Sequence, residues 1–299
     1  MYNLNRLRLL REVHFRGTLA AAAEALGYNP STVSHQLATL EREVGVRLLE
    51  PVGRRVRLTD EALILVGHTE EALRHLEEAR AGIAAAGGRV QGLVRVATFQ
   101  TAAHTVLPEV LTGLLVAHPG LRLRVSHVPV QEALPGLVAR DFDLVLQEEF
   151  PGHPGLRVPG VATTPLASDP LWLVSPAAAP VASLAETRER PWVMEPAGTL
   201  ARRWSTAACR TAGFEPEVAW ETSDVLLHLR LARAGAAVAL VPGLALRAVG
   251  RDGLLAVRPE GEPERTISLT VREGSGRAPA LAAVRDAIVA GFAAPSDDA

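Results

Sequence analysis

The sequence contains no lysine, a single cysteine and no apolar run long enough to cross a membrane. All 31 basic residues are arginines. Cys209 has no partner for a disulfide, and no CxxC or Cys/His pair with zinc-binding spacing is present, which is typical of a protein from a reducing cytoplasm. The longest apolar run, Ala234 to Leu246, contains Pro242 and is shorter than the roughly 20 residues of a membrane span. The N-terminus also lacks the continuous apolar stretch of a signal peptide, so we expect neither export nor membrane insertion.

Motifs of catalysis are missing as well. The sequence has no GxSxG elbow, no GxGxxG or P-loop glycine pattern and no HExxH zinc motif. Its nine histidines are scattered without the tight spacing of metal ligands. We therefore predict that the protein is not an enzyme and that it needs no metal or cofactor.

Charge is distributed unevenly along the chain. The formal net charge is −2, but residues 1–59 carry nine arginines and five acidic residues, a balance of +4, while the remaining 240 residues carry −6. A basic segment on an acidic body indicates a polyanionic partner for one end of the chain only. The length of 299 residues suggests two domains.

Three helices are predicted in the basic segment. Apolar residues recur at helical spacing from Leu4 to Val13, Thr18 can cap a second, alanine-rich helix, and Pro30 opens a third. The third helix has an apolar face, from Val33 to Val44, and a polar face of hydroxyl, amide and imidazole groups. Such a polar face is either a solvated surface or, in a helix-turn-helix, the side that bonds base edges and phosphates in a major groove. The short second helix and the three-residue turn favour the helix-turn-helix.

Two short extended segments follow, separated by a turn at residues 51–53. Val56 and Leu58 alternate with arginines, which is the pattern of a β-hairpin wing. Arg54 and Arg55 lie at its predicted tip, where guanidinium groups reach phosphate or a minor groove. An exposed hairpin without such a role has the same pattern, but its position next to a helix-turn-helix favours the wing.

The segment from Leu4 to Thr59 resembles the winged helix-turn-helix of the LysR-type transcriptional regulators, most clearly over GTLAAAAEALGYNPSTVSHQLATLEREVGVRLLEPVGRRVRLT. The resemblance implies that Ser34 and Gln36 lie on the recognition helix. His35 stands where the family often has an arginine, which weakens the expected attraction to phosphate when the imidazole is neutral. Pro30 stands one position before the family's usual proline. The residues predicted to contact DNA are Thr18, Asn29, Ser31, Thr32, Ser34, His35, Gln36, Thr39, Arg42, Arg54 and Arg55.

A long helix is predicted from Thr59 to about Ala86, ending at Gly87 and Gly88. At ~1.5 Å per residue it would be roughly 40 Å long. The residues of one predicted face recur at alternating spacings of four and three, which is typical of the interface of a two-helix dimer. Packing of this face on the chain's own core is the alternative. The LysR resemblance also implies a dimerising helix here. The predicted dimer contacts are Val66, Leu73, Leu76 and Ile83.

Short apolar runs alternate with helical patterns from Val90 onward, which is typical of an α/β domain with a largely parallel sheet. Two similar sets of strands and helices indicate a bilobed domain, and this part resembles the LysR-type effector-binding domain, itself similar in shape to periplasmic binding proteins. The predicted fold class is therefore α/β, with an α-rich N-terminal winged helix-turn-helix and a bilobed C-terminal domain. The predicted domains are a DNA-binding domain at 1–59, a linker and dimerisation helix at 60–88, and an effector-binding domain at 89–299 with lobes at about 89–163 with 266–299, and 164–265.

Polar residues at the predicted strand ends and helix starts of this domain nominate an effector site. Ligands of open α/β sheets bind beyond the carboxyl ends of the strands, near helix N-termini. The uncharged polar residues of this set suit a small carboxylate as ligand, whereas Glu195 would select an amine, so the charge of the ligand stays open. For each of these residues, capping of a loop or helix is the alternative role. The predicted effector-binding residues are Thr98, Gln100, Thr101, Gln131, Gln147, Glu195, Gly198, Thr199, Val241 and Pro242.

These features together predict a cytoplasmic transcriptional regulator of LysR type, whose binding to promoter DNA is controlled by a small-molecule effector in the C-terminal cleft. The expected partners are double-stranded DNA, RNA polymerase, the effector and further copies of the chain, as a homodimer or homotetramer. The alternative is a small-solute-binding protein that uses residues 90–299 alone. That alternative leaves the basic segment without a role.

Overall fold

The computed structural model describes residues 2–52, 55–87, 89–155 and 158–293, which belong to two compact units. One unit comprises Met1–Gly88 with Glu273–Ala278, and the other comprises Arg89–Arg272 with Pro279–Ala299. Within the described ranges, every helix is too short or too polar to cross a bilayer.

The first unit contains three short helices, a hairpin and a long helix. Thr18 Oγ1 accepts a hydrogen bond from the N–H of Ala21 at 3.1 Å and so caps the second helix. Gly17, at φ +73°, ends the first helix in the left-handed conformation that glycine tolerates, and Pro30 opens the third, where a missing N–H costs nothing. The elements are α1 (Leu4–Arg16), α2 (Leu19–Leu26), α3 (Pro30–Val44), β1 (Leu49–Val52), β2 (Arg55–Leu58) and α4 (Asp60–Ala86).

One apolar core joins these helices. Leu10 of α1 and Val33 and Leu40 of α3 are fully buried, and Ala22 and Ala23 of α2 are small enough to let the helices approach closely. Each buried Leu or Val side chain contributes about 1.5–3 kcal/mol relative to an exposed one. Because this core holds the inner face of α3, the outer face of that helix is rigidly presented to solvent.

The long helix α4 begins inside the same core. Thr59 Oγ1 accepts from the N–H of Ala62 at 3.2 Å and donates to the carbonyl of Arg47 at 2.9 Å, which fixes the start of the helix to the chain before the hairpin. Ala62 and Val66 then pack into the core. The helix has 27 residues, so at ~1.5 Å per residue it is roughly 40 Å long and extends well beyond that core.

The second unit is a mixed α/β domain. Two short 3-10 turns, Ala185–Thr187 and Ser275–Arg277, also occur in the C-terminal half of the chain, the second of them in the first unit. The elements of the second unit are β3 (Gly92–Thr98), α5 (Gln100–Thr105), α6 (Leu107–Ala117), β4 (Leu121–His127), α7 (Val130–Val138), β5 (Leu144–Glu149), β6 (Val161–Pro176), β7 (Pro191–Met194), α8 (Leu200–Thr211), β8 (Glu217–Glu221), α9 (Val225–Arg233), β9 (Ala239–Pro242), α10 (Gly243–Val249), β10 (Leu254–Val257), β11 (Glu264–Arg272) and α11 (Pro279–Ala293).

The main sheet is mixed rather than largely parallel. Its strand order is β10-β6-β11-β5-β3-β4, and β9 also pairs with β6. Strand β3 runs parallel to β4 and β5, but β11 runs antiparallel to β5 and β6, and β9 and β10 run antiparallel to β6. The parallel expectation is therefore wrong for the centre of the sheet, because β6 and β11 are crossing strands and not members of a βαβ unit. Strands β7 and β8 form a separate parallel pair.

Strand β6 belongs to both lobes of this domain. Its first part, up to Pro170, pairs with β11, and from Leu171 onward it pairs with β9 and β10. Pro165 lies in the first part, opposite Ser268 and beside a register shift between Ile267 and Ser268, an irregularity of the kind at which a strand tolerates proline. The predicted lobe limits, 163/164 and 265/266, fall within β6 and β11.

Candidate functional site

The outer face of α3 carries the predicted DNA-contacting residues that are free to meet a partner. Ser31, Thr32, Ser34 and His35 are exposed there, while Val33 and Leu37 on the opposite face are buried. Hydroxyl and imidazole groups of this kind are suited to base edges and phosphate oxygens. Asn29, at the N-cap of α3, is also exposed and makes no side-chain capping bond.

Two other predicted residues of α3 are engaged within the protein. Gln36 is half-buried, and its Oε1 accepts from Arg6 Nε at 2.9 Å. Thr39 Oγ1 donates to the carbonyl of His35 at 3.0 Å and accepts from Arg42 Nη2 at 2.9 Å. Gln36 Oε1 and Thr39 Oγ1 are therefore already engaged within the protein, while the Nε2 donors of Gln36 take no part in these bonds. The bond from Arg6 also orients the Gln36 amide from α1.

The remaining predicted DNA contacts lie outside α3, at the start of α2 and in the hairpin. Thr18 is the N-cap of α2, so its hydroxyl has a structural partner. Arg54 lies outside the described residues, and Arg55 begins β2. Arg57 in the same strand is exposed and bonds Glu50 across the hairpin at 2.7 Å.

One of the basic residues of the first unit does not contribute to its surface charge. Arg11 of α1 is 1% exposed and bonds Glu12 at 2.7 Å and Glu70 of α4. Its guanidinium also lies 4.7 Å from the centre of the Phe15 ring. Since Glu12 is buried with it, the pair leaves the +4 balance of the segment unchanged, and Arg11 joins α1 to α4.

The predicted dimer residues of α4 fall into two groups. Val66 is buried in the core of its own unit, and Leu73 is buried as well. Leu76 and Ile83 are exposed, at 45% and 75%. The first half of α4 packs against the core of its own unit, so the predicted dimer residues in that half are already buried. The predicted dimer residues in the second half are exposed to solvent. Leu63 and Ile64 add apolar surface near its start.

The second unit contains a cavity of about 180 Å³ between its two lobes. The cavity lies where α5, α7, α8 and α9 begin, beyond the ends of β5 and β7. Its apolar wall includes Phe150, Leu200, Trp204 and Leu240, and the rings of Phe150 and Trp204 are 5.8 Å apart. Seven of the ten predicted effector residues line it: Gln100, Thr101, Gln131, Gln147, Glu195, Thr199 and Pro242.

Three predicted effector residues lie outside the cavity lining. Thr98 is 1% exposed and its hydroxyl donates to the carbonyl of Phe99 at 3.3 Å. Val241 is fully buried in β9, in the apolar core behind the cavity. Gly198, at φ +95°, forms the turn before α8. These three positions were predicted because they adjoin strand ends and helix starts. In each case it is a directly adjacent residue in the sequence that lines the cavity.

Arg265 is the central charged residue of the cavity, and the sequence prediction missed it. Its guanidinium is 2% exposed and bonds Asp169 Oδ2 through Nε at 2.9 Å and through Nη2 at 2.6 Å. It also bonds Glu148, and its Nη2 donates to Thr101 Oγ1 at 2.7 Å. Asp169 in turn accepts from the N–H of Leu244 at 3.0 Å. This network connects β11 to β5, β6, α5 and α10. In it, two carboxylates share a single guanidinium.

Glu195 is a second acidic group at the cavity, after β7 and before α8. Burial, reinforced by the charge of Glu148, raises the pKa of Glu195 to about 7, against the opposing effects of Thr199 and Arg265. The side chain is half-buried. Near neutral pH this carboxyl group therefore exists as a mixture of charged and neutral forms.

Two nearly buried side chains of the cavity offer hydrogen-bond acceptors that no described residue satisfies. Gln147 is 4% exposed, and its Oε1 accepts no hydrogen bond. His228 is 3% exposed, and its Nε2 lies 3.0 Å from the carbonyl of Thr222, so that nitrogen carries the proton. Burial lowers the pKa of His228, so the ring is neutral at pH 7 and its Nδ1, which has no partner among these residues, is an acceptor.

A pair of hydrogen bonds crosses from one lobe to the other at the cavity. Gln100, at the start of α5, donates from Nε2 to Asp224 Oδ1 at 2.8 Å and accepts from the N–H of Val225 at 2.9 Å. Asp224 caps α9 through the N–H groups of Leu226 and Leu227. Burial acts to raise the pKa of Asp224, but these hydrogen bonds outweigh it and hold the pKa below its ordinary value. Gln100 therefore occupies the N-terminus of α9 and links the lobes.

Several cavity residues could not be found from motif reasoning. Arg265 and Asp169 are 96 positions apart in sequence, and Glu148 directly follows the predicted Gln147. Neither Arg265 nor Asp169 carried a local signal, because Glu264 and Thr266 flank Arg265, and Ser168 and Pro170 flank Asp169. His228 and Trp204 carried no signal either.

Two family models match the chain. The model described as "Bacterial regulatory helix-turn-helix protein, lysR family" covers residues 4–63, and the one described as "LysR substrate binding domain" covers residues 87–293. Among curated proteins, the chain is 30% identical to a "Probable hydrogen peroxide-inducible genes activator" of Mycobacterium avium, over 91% of this chain and 88% of that protein. It is 32% identical to the "HTH-type transcriptional regulator TcbR" of Pseudomonas sp. (strain P51), over 76% and 78%.

Solved structures give the same result for the fold. A full-length OxyR variant from Pseudomonas aeruginosa is 19% identical and aligns with a TM-score of 0.69 over 96% of this chain and 95% of that one. Full-length CbnR in complex with its target DNA is 25% identical and aligns with a TM-score of 0.54 over 97% and 100%. With both of its domains matched by family models, the chain belongs to the LysR family of DNA-binding transcriptional regulators.

Proposed function

We propose that the chain binds promoter DNA through the outer face of α3, with the β1–β2 hairpin on the flanking backbone, and that a small molecule in the cavity controls this binding. The observation that carries the proposal is the α3 face. Ser31, Thr32 and Ser34 are exposed on a helix whose opposite face is locked into a core. This is the geometry by which a recognition helix enters a major groove without losing its own packing.

We place the assembly contact on α4. Leu76 and Ile83 are seven residues apart, two heptad-related positions that lie on one face of the helix. A two-fold pair reads two half-sites and gains affinity from both. A dimer, or a tetramer of two such pairs, is therefore the proposed binding species, with RNA polymerase as a further partner at the promoter. Since the DNA partner is the chromosome, we place the protein in the cytoplasm.

Control by a ligand is a population shift between lobe arrangements. Gln100 joins the lobes through Asp224 and Val225, and β6 and β11 join them through the backbone. A ligand that favours one arrangement over the other changes the affinity for DNA, and DNA changes the affinity for the ligand by the same factor. No cofactor is required for this scheme.

Peroxide sensing by a thiol is a separate function that this chain does not support. The single cysteine, Cys209, is fully buried in α8. Burial, with a smaller effect of Glu215, raises the pKa of Cys209 to about 12. A peroxide-sensing cysteine is an accessible thiolate, so we propose that this regulator responds to a bound molecule and not to oxidation of Cys209.

The test of the proposal is the affinity of the full chain for its own upstream DNA and for a scrambled duplex of the same composition, measured by fluorescence anisotropy at several salt concentrations. A preference for the upstream DNA that persists as salt rises is expected. Ser34→Ala should lower that preference by about 1–3 kcal/mol if the hydroxyl contacts a base. Gln91→Ala, an exposed residue of the second unit, is the control. Equal affinity for both duplexes at every salt concentration would overturn the proposal.

A further inference from the structure

The charge balance of the cavity bears on the chemistry of its ligand. Arg265 faces Asp169 and Glu148 together, so the ion-pair network carries one excess negative charge before Glu195 is counted. The four hydrogen bonds that its guanidinium donates go to Asp169, Glu148 and Thr101, and the group is 2% exposed. Four of its five N–H donors are thus used within the protein, and an anionic ligand meets Glu148 and Glu195 across the same space.

Two of the four helix N-termini at the cavity are capped by side chains. Thr199 Oγ1 accepts from the N–H of Arg202 at the start of α8. At α9, Asp224 accepts from Leu226 and Leu227, and Gln100 accepts from Val225. The helices α5 and α7 begin without a side-chain cap. Because a helix N-terminus carries only about half a unit of positive charge, the full charges of Glu148 and Glu195 outweigh these two termini.

The apolar part of the cavity completes the description of the ligand. Phe150, Leu200 and Leu240 form a hydrocarbon wall, and Trp204 adds an indole ring of the kind whose face attracts cations. The volume of about 180 Å³ limits the ligand to a small molecule. A molecule with a cationic head and a short apolar body satisfies the charge of the cavity and its apolar wall together.

We propose that the cavity selects a small organic cation, a primary ammonium on an apolar body, and that Glu195 is the carboxylate that binds the ammonium. This inference rests on the proposed function of the cavity as the effector site. It resolves the alternative that the sequence left open, in favour of an amine and against a carboxylate.

The proposal is tested by thermal unfolding of the full chain with two matched pairs of probes at pH 8: 2-phenylethylammonium against phenylacetate, and n-pentylammonium against pentanoate. We expect at least one ammonium to raise Tm in a saturable way while its carboxylate partner does not. Phenylacetamide, which is uncharged, should also stabilise less than the ammonium. If no ammonium raises Tm by more than its carboxylate or amide counterpart, the proposal is wrong.

Two variants locate the effect. Glu195→Gln removes the charge and keeps the shape, so it should weaken binding of the ammonium about tenfold or more at pH 8. Glu189→Gln, an exposed acid of the same lobe, should leave binding unchanged. If Glu195→Gln binds the ammonium as tightly as the unmodified chain does, Glu195 is not the binding carboxylate and the proposal fails.

The pH dependence of binding is a further measurement on the unmodified chain. With the pKa of Glu195 at about 7, the ionised fraction rises roughly tenfold between pH 6 and pH 8, and the affinity for an ammonium should rise by up to the same factor. The charged and titratable groups around Glu195 are Glu148, Arg265, Arg202, His127 and His228. Affinity that is flat or falls over this range contradicts the proposal.

Failure here is distinguishable from failure of the proposed function. The same preparations are assayed for preference between upstream and scrambled DNA. A chain that prefers its upstream DNA but is stabilised by carboxylates refutes the cation and leaves the regulator intact. A chain that binds the ammonium through Glu195 but shows no DNA preference refutes the regulator and leaves the cation site intact.

Discussion

The buried arginine at the cavity offers a quantitative prediction. Arg265→Met removes a guanidinium that is 2% exposed and leaves Asp169, which is 6% exposed on its side chain, without its charged partner. Breaking a buried ion pair by removing one member costs about 3–5 kcal/mol, because the other charge stays buried and unpaired. For a unit of about 200 residues this corresponds to a fall in Tm of roughly 6–20 °C.

The matched control is Arg210→Met. Arg210 also bonds a carboxylate through two hydrogen bonds, to Glu215 at 2.7 and 3.0 Å, but both side chains are more than 60% exposed. Because solvent screens this exposed pair, Tm should fall much less for Arg210→Met than for Arg265→Met. The contrast between the two variants reports the effect of burying an arginine among carboxylates.

The assay is thermal unfolding followed by tryptophan fluorescence. All four tryptophans, at positions 172, 192, 204 and 220, belong to the second unit, so the signal reports the unit that contains Arg265. A fall in Tm for Arg265→Met that does not exceed the fall for Arg210→Met would refute the claim that this network holds the lobes at β6 and β11.

Three further predictions follow from the same unit. Gln100→Ala removes both inter-lobe hydrogen bonds and should open the lobes, seen as a larger radius of gyration by small-angle scattering, while Gln91→Ala should not; equal radii would contradict the link. Glu195→Gln should raise the free energy of unfolding at pH 8 by up to about 3 kcal/mol and leave it unchanged at pH 4. Since folding raises the pKa of Glu195, this carboxyl group favours the folded state fully below its ordinary pKa of 4.5, and that stabilisation is lost as pH rises to about 7. A difference in the free energy of unfolding that does not depend on pH would argue against this effect. Hydrogen peroxide at a concentration that oxidises exposed thiols should leave DNA affinity unchanged, as should Cys209→Ala; a peroxide effect that Cys209→Ala abolishes would show that the thiol is reactive after all.

The N-terminal unit was predictable because its signals are local. Thr18 caps α2, Gly17 and Gly27 end helices at positive φ, and Pro30 opens α3, all within a few residues of the element that they delimit. Each signal acts through a backbone bond or a dihedral angle of its own neighbourhood. What the pattern did not reveal is which side of a helix faces a partner: Val66 has dimer-like spacing but packs in its own core.

The second unit was predictable in type and less so in detail. The predicted alternation of apolar runs and helical patterns corresponds to the strands and helices of this unit, among them α8 (Leu200–Thr211) and α9 (Val225–Arg233). The length of β6 was harder to predict, because Pro165 and Pro170 in its first half are typical of breaks. The residues that line the cavity followed partly from strand ends, but the Arg265–Asp169 pair depends on the register of two strands that are distant in sequence.

A hydroxyl-radical footprint of the full chain on its own upstream DNA records how a pair of α3 helices contacts a duplex. If α3 is the recognition helix of a dimer, two protected half-sites are expected whose centres are about one helical turn, or a multiple of it, apart. Ser34→Ala combined with Thr32→Ala should remove the boundaries of this protection. Protection that spreads evenly along the duplex, without boundaries and without response to these substitutions, would contradict this role of α3.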